Sequence, residues 1–248
     1  MLELATLISH HARYRPDATA VVFEDKRLSY RQFAARVAQV GNMLRSLGLG
    51  RGDKIATVST NSLQLLEAYW AIPTIGATLV PLSPLLLPAG LASMIRGSDA
   101  RCLIAQSSLL PMLEAIRGEL PPHVLLLDGA GGGFGDLRAL SAAQPQTLVP
   151  ATVTPDDLFN IMFTSGTTGQ PKGIMHPHFV RAMYCTLMAA AFRITPESRI
   201  LQAGSIVFNG AFVTLMPAFY LGATYVLHRQ FDPGEMMLAI ERERVTHT

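Results

Sequence analysis

The chain has 248 residues, with 20 lysines and arginines against 18 aspartates and glutamates, for a formal net charge of +2. Hydrophobic residues make up 49% and charged ones 15%, which excludes a disordered chain and fits one large or two small globular domains. With no Lys/Arg block there is no case for nucleic acid, and two cysteines, Cys102 and Cys185, are too few for a disulfide scaffold, so a reducing compartment, the cytoplasm, is expected.

Residues 1–10 have no basic start and only an interrupted apolar run, unlike a signal peptide. Residues 18–24 read as a strand, with a turn at Asp25-Lys26. Ser29-Tyr-Arg-Gln32 is a capping box, and the helix it opens places Phe33, Val37, Val40, Met43, Leu44 and Leu47 on one face before Gly48 or Gly50 stops it. Strands at 54–59, 78–82, 101–105 and 123–128 alternate with helices at 63–72 and 109–117. The glycine-rich stretch 129–135 never sets up G-x-G-x-x-G, because the sixth position is Phe134 or Asp136, and it reads as a flexible surface loop. Residues 143–157, with Pro145, Pro150 and Pro155, read as a polar linker between a first α/β subdomain, 1–142, and a second segment, 158–248.

That segment begins with a strand at 158–163. Helices follow at 179–192, 211–220 and 233–244, with strands at 199–203 and 223–227; Val245 to Thr248 read as the first residues of a further strand. The alternation predicts an α/β fold of layered, mostly parallel sheets. Residues 68–95 and 200–228 contain no Asp, Glu, Lys or Arg, but four prolines interrupt the first and Pro217 the second. Both are expected to be buried α/β core and not membrane spans.

Residues 164–173, Thr-Ser-Gly-Thr-Thr-Gly-Gln-Pro-Lys-Gly, carry the chemistry. Glycines let consecutive backbone N–H groups converge on an anion, hydroxyls add donors, and Lys172 adds a positive charge. A helix dipole is expected just beyond. The pattern is not a Walker A loop, since Pro171 precedes the lysine and Gly173 follows it. A polyphosphate suits it.

This string closely resembles the phosphate-binding signature of the adenylate-forming superfamily, which includes acyl- and aryl-CoA ligases, luciferases and the adenylation domains of peptide synthetases. His178 matches a histidine of that pattern. Residues 28–33, 48–53, Asn61, 76–81 and 217–224 are similar to further family segments, in the family's order. The family's later segments are absent, among them Tyr-Gly-x-Thr-Glu, the ribose-binding Asp and the catalytic Lys of its small carboxy-terminal domain. Residues 205–210 lack the histidine often found there in acyl-CoA ligases.

The resemblance implies the amino-terminal part of an ATP-dependent ligase acting on a fatty or aromatic acid. The acid attacks the α-phosphate of ATP, and the acyl group then passes to a thiol, usually that of coenzyme A. It assigns Thr164, Ser165, Gly166, Thr167, Thr168, Gly169 and Lys172 to the ATP phosphates, Thr168 also to Mg²⁺, and His178 to the active site. Phe208, Asn209 and Phe212 become candidate walls of the acyl pocket. Lys172 and Thr168 would assist phosphate chemistry; no catalytic residue proper falls within the chain, which is expected to be inactive alone. An unfinished final strand predicts self-association of copies.

Two other readings stay open. One is an amino-acid-activating adenylation domain; there the family has a Phe-Asp pair whose carboxylate holds the substrate ammonium, where this chain has the neutral pair Phe208-Asn209. The other is a truncated phosphate-binding fragment without catalysis.

Overall fold

The computed structural model describes residues 3–164 and 171–248. Helix α1 (Leu7–Tyr14) leads to the β1 (Thr19–Phe23) and β2 (Lys26–Ser29) hairpin. The capping box then starts α2 (Tyr30–Ser46): Ser29 Oγ accepts from Gln32 N at 3.3 Å, and Gln32 Oε1 accepts from Ser29 N at 2.9 Å. The face of Phe33, Val37, Val40, Met43 and Leu44 is buried, as its helical spacing requires.

The next units are β3 (Lys54–Val58), α3 (Leu63–Thr74), β4 (Thr78–Leu82), α4 (Pro88–Ser98), β5 (Ala100–Ala105) and α5 (Leu110–Ala115). Then come β6 (His123–Leu126), the short β7 (Gly135–Asp136) and α6 (Leu137–Ala142). The chain continues through β8 (Leu158–Thr164), β9 (Lys172–Pro177), α7 (His178–Phe192), β10 (Arg199–Gln202), α8 (Phe212–Leu221), β11 (Thr224–Leu227) and α9 (Pro233–Glu243).

A seven-stranded sheet has the order β7-β6-β5-β3-β4-β8-β9, parallel except for β9. A four-stranded sheet has the order β10-β11-β1-β2, parallel except for β2. The layered, mostly parallel α/β architecture expected from the alternation is present. Strands from both sides of residues 143–157 share both sheets: β1 pairs with β11, and β4 with β8. The expected segments 1–142 and 158–248 are therefore intermixed. One hydrophobic core reaches from Leu4 to Leu227.

Several sequence expectations need correction. Residues 143–157 are pinned along α2 and α3: Asn42 Nδ2 donates to Pro145 O and Thr147 O, Ala151 N donates to Thr74 O, and Leu148 packs against the core. The glycine-rich stretch closes in a Gly131–Phe134 turn; Arg117 donates to Gly132 O and stacks 4.6 Å from the Phe134 ring centre. The expected helix 179–192 is present as α7, but an unexpected strand, β9, lies between it and the phosphate segment. That strand runs back beside β8, with Lys172 opposite Thr164 and Pro177 opposite Leu158. The α7 amino terminus thus lies at the far end of this hairpin, roughly 20 Å from Thr164 at about 3.3 Å per residue. It therefore does not lie beside Thr164 or Lys172.

Residues 68–82 are buried throughout, as their lack of charge predicts, but residues 83–90 of the same stretch are not, with Leu85 and Leu87 exposed in the connection to α4. Among the described residues no helix is long and apolar enough to cross a membrane. The final residues begin a strand beside β10: Ile200 bridges His247 in parallel, and Leu201 N donates to His247 O at 2.9 Å.

Candidate active site

Thr164 stands at the carboxyl end of β8, the edge of a parallel sheet where open α/β folds take ligands. Lys172 faces it across the hairpin, and the Thr164 hydroxyl lies 3.5 Å from Lys172 O. Both side chains are exposed. A solvated lysine at a sheet edge offers charge to an anion; the Thr164 hydroxyl, which donates to Lys172 O, would turn from that carbonyl to add a donor. The assigned Ser165, Gly166, Thr167, Thr168 and Gly169 lie outside the described residues.

Beside Thr164 opens a cavity of about 420 Å³. Its walls include Thr164 of β8, Ile174 and His176 of β9, and Val207, Phe208 and Asn209 from the segment after β10. Asn61, in the turn after β3, holds that segment in place. Its Nδ2 donates to Gly204 O at 2.9 Å and His228 O at 2.8 Å, while its Oδ1 accepts from Ile206 N at 2.9 Å. Two bonds from one buried amide set the path of residues 204–206, and hence where Phe208 and Asn209 project, while the third ties that turn to His228, just after β11.

Phe208 is 57% exposed, an unusual state for a phenylalanine, and forms the cavity's open rim. Phe212 is buried beneath the wall, stacked 6.2 Å from Tyr69. Of the three expected pocket residues, the cavity brings Phe208 and Asn209 together with Thr164, and leaves Phe212 behind them.

His178 does not join this group. It is buried at the first turn of α7, edge-on to Phe159 at 5.3 Å, and among the described residues neither ring nitrogen is hydrogen-bonded. Burial pushes its pKa down to about 4, partly offset by the Asp157 carboxylate. A neutral imidazole in that setting packs against Phe159, and it is not among the cavity-lining residues. The histidine in the cavity wall is His176, opposite Asn160 in the β8–β9 register. Burial, then the nearby Arg181 charge, lowers its pKa, while the Ile174 backbone opposes the change.

Arg181 of α7 is fully buried. Its Nε donates to Asn160 Oδ1 at 2.8 Å and its Nη2 to Asn209 Oδ1 at 2.8 Å. The guanidinium lies 4.2 Å from the Phe212 ring centre and 4.8 Å from that of Tyr184. It forms no salt bridge among the described residues, and Nη1 has no hydrogen-bond partner there. Burial lowers its pKa to about 10, partly offset by Tyr184, so it is charged at neutral pH. In the sequence a lone Arg in an apolar helix signals only a solvated position; nothing marks its two asparagine partners, 21 and 28 residues away.

The cavity wall carries no carboxylate, and among the described residues no cluster of three or more His, Cys, Asp or Glu could hold a metal. The described donors fit phosphate and do not by themselves fit Mg²⁺. Thr168, the expected Mg²⁺ ligand, lies outside the described residues.

A mostly parallel α/β sheet with an exposed lysine and an adjacent cavity at its carboxyl edge is the arrangement of a small-molecule-binding α/β domain. Residues 8–248 match the family of AMP-binding enzymes, and the chain belongs to it. It is 29% identical over 235 residues to 3-hydroxybenzoate–CoA ligase of Aromatoleum sp. (strain CIB), an alignment covering 93% of this chain and 45% of that protein. It is 33% identical over 245 residues to phosphinothricin tripeptide synthetase PhsC of Streptomyces viridochromogenes, covering 98% of this chain and 22% of that one. The crystal structure of the anthranilate CoA ligase AuaEII in complex with anthranoyl-AMP superimposes with a TM-score of 0.92 at 26% identity, over 99% of this chain and 49% of that chain. The fold is that of the amino-terminal domain of adenylate-forming enzymes, and the chain spans about half the length of these CoA ligases.

Proposed function

We propose that the chain is the amino-terminal part of an ATP-dependent acid–thiol ligase. It would activate a fatty or aromatic acid as its acyl-adenylate and pass the acyl group to coenzyme A. The observation that carries this reading is the juxtaposition of Thr164 and Lys172 with the cavity at Asn209. An acid held there lies next to the phosphate donors, so the carboxylate and the α-phosphate can meet. The first step is carboxylate attack on phosphorus with pyrophosphate leaving, and the protein's task is to position and neutralise. We assign Thr164, residues 165–169 and Lys172 to the β- and γ-phosphates. Lys172 would balance charge that grows on the departing pyrophosphate. Thr168 is retained as the protein hydroxyl for Mg²⁺, whose other ligands would be phosphate oxygens and water.

Cys102 and Cys185 are both free and buried, and burial pushes both thiols up to about 12, which fits a cytoplasmic setting. The amino-acid-activating alternative draws on the likeness to a peptide synthetase. It is disfavoured by the absence of a carboxylate at position 209 and by the buried cation behind it. The test is ATP–pyrophosphate exchange by the protein containing this chain, across fatty, aromatic and amino acids. Exchange with fatty or aromatic acids alone is expected. Exchange restricted to amino acids selects the alternative, and no exchange with any acid leaves the non-catalytic phosphate-binding reading.

A further inference from the structure

A fully buried guanidinium with no carboxylate partner is costly, and its two hydrogen bonds to neutral oxygens and two aromatic faces offset only part of that cost. Its geometry has a definite consequence. Arginine has donors only, so Asn209 must present its carbonyl oxygen to Nη2. The Asn209 NH₂ group then remains for the cavity that Asn209 lines, and it makes no hydrogen bond among the described residues. Asn160 is held the same way, its carbonyl on Nε and its own NH₂ unpartnered and buried. Without Arg181, either amide could rotate and offer oxygen where it now offers N–H.

We propose that Arg181 is a positioning residue that sets the substrate class by locking the Asn209 amide with its N–H donors toward the acid. The acid accepted is one that carries a hydroxyl, carbonyl or second carboxylate where it reaches Asn209. An acid with an ammonium group at that place is excluded, since it meets N–H donors backed by a positive charge. This rests on the acid-ligase reading above and gives that reading its selectivity.

The test is the ratio of dissociation constants for acids matched in size, 3- and 4-hydroxybenzoate against 3- and 4-(aminomethyl)benzoate, measured on the protein containing this chain by ligand-observed NMR. Wild type is expected to prefer the hydroxy acid of at least one pair by tenfold or more. Arg181→Met, with folding checked by near-ultraviolet circular dichroism, is expected to shrink that preference about tenfold. A purely structural role would weaken both acids alike and leave the ratio in place; an unchanged ratio overturns the proposal. Should Arg181→Met fail to fold, Asn209→Leu decides: loss of the preference supports the assignment, and its persistence overturns it. Failure of all four acids to bind wild type overturns the acid pocket itself, and with it the role of Arg181. Binding of all four without preference overturns only the role of Arg181.

Discussion

Asn61 shows how one residue far from the chemistry builds a site. Two of its hydrogen bonds join the turn after β3 to the segment carrying Phe208 and Asn209, and a third reaches His228 O after β11. Asn61→Ala removes all three and leaves buried backbone groups unpaired, at about 2–4 kcal/mol; urea unfolding of the two proteins measures it, and a loss under 1 kcal/mol would mean the segment is held by other contacts. His178 makes a pH prediction. The unfolded imidazole takes a proton near pH 6.5, whereas the buried one resists until about 4. Its contribution is therefore complete above pH 6.5 and is lost as pH falls from 6.5 toward 4. Between pH 7.5 and 4.5 the wild type should lose about 2–3 kcal/mol more than His178→Gln. Equal losses would contradict a buried, neutral imidazole. In the protein containing this chain, Lys172→Ala should lower ATP–pyrophosphate exchange by roughly tenfold or more while acid binding holds, because in the proposed assignment the exposed lysine acts on charge that moves during the reaction. An unchanged exchange rate would remove Lys172 from that role.

At the scale of elements, what was legible followed from periodicity and end signals. The capping box at Ser29 and the spacing of Phe33, Val37, Val40 and Leu44 marked α2, and Ser29→Ala should cost it about 1 kcal/mol in thermal or urea unfolding. What escaped had weak local signals. The β9 strand, Lys-Gly-Ile-Met-His-Pro, is an exposed edge strand with little alternation of burial, and a glycine and a proline obscure it. Its pairing is set by β8, not by its own residues. Helix α4, with two glycines, begins on Pro88, a helix-start signal hidden among the prolines of a charge-free stretch. Helix α1 and strand β2 are short and gain their burial from distant partners: His11 hydrogen-bonds Tyr220 O, and Arg27 pairs with Glu243. The site followed the same division. That Thr164, Lys172, Phe208 and Asn209 belong in one neighbourhood was legible from a motif and the segments around it, and the structure brings them together; their roles remain proposals. Arg181 and His176 gain meaning only when β8, β9 and α7 fold together.

Across the whole molecule, the sheets intermix residues from both ends of the chain, and β1–β11 pairing ties the amino-terminal hairpin to the last strand of its sheet. The apolar Ile174 and Met175 on β9 and Phe179, Leu187 and Phe192 on α7 remain substantially exposed. Exposure of that kind beside an edge strand predicts that the 248-residue chain self-associates. Analytical ultracentrifugation at micromolar concentration checks it, and a stable monomer would contradict it. The central claim is that residues 164–173 hold the phosphates of ATP, and the chain's composition makes it directly testable. Its lysines are Lys26, Lys54 and Lys172. An ATP analogue with a reactive acyl group on its terminal phosphate should acylate Lys172, spare Lys26 and Lys54, and be blocked by excess ATP, as read by peptide mass spectrometry. Equal labelling of the three lysines, or labelling of Lys172 that ATP does not block, would contradict the assignment.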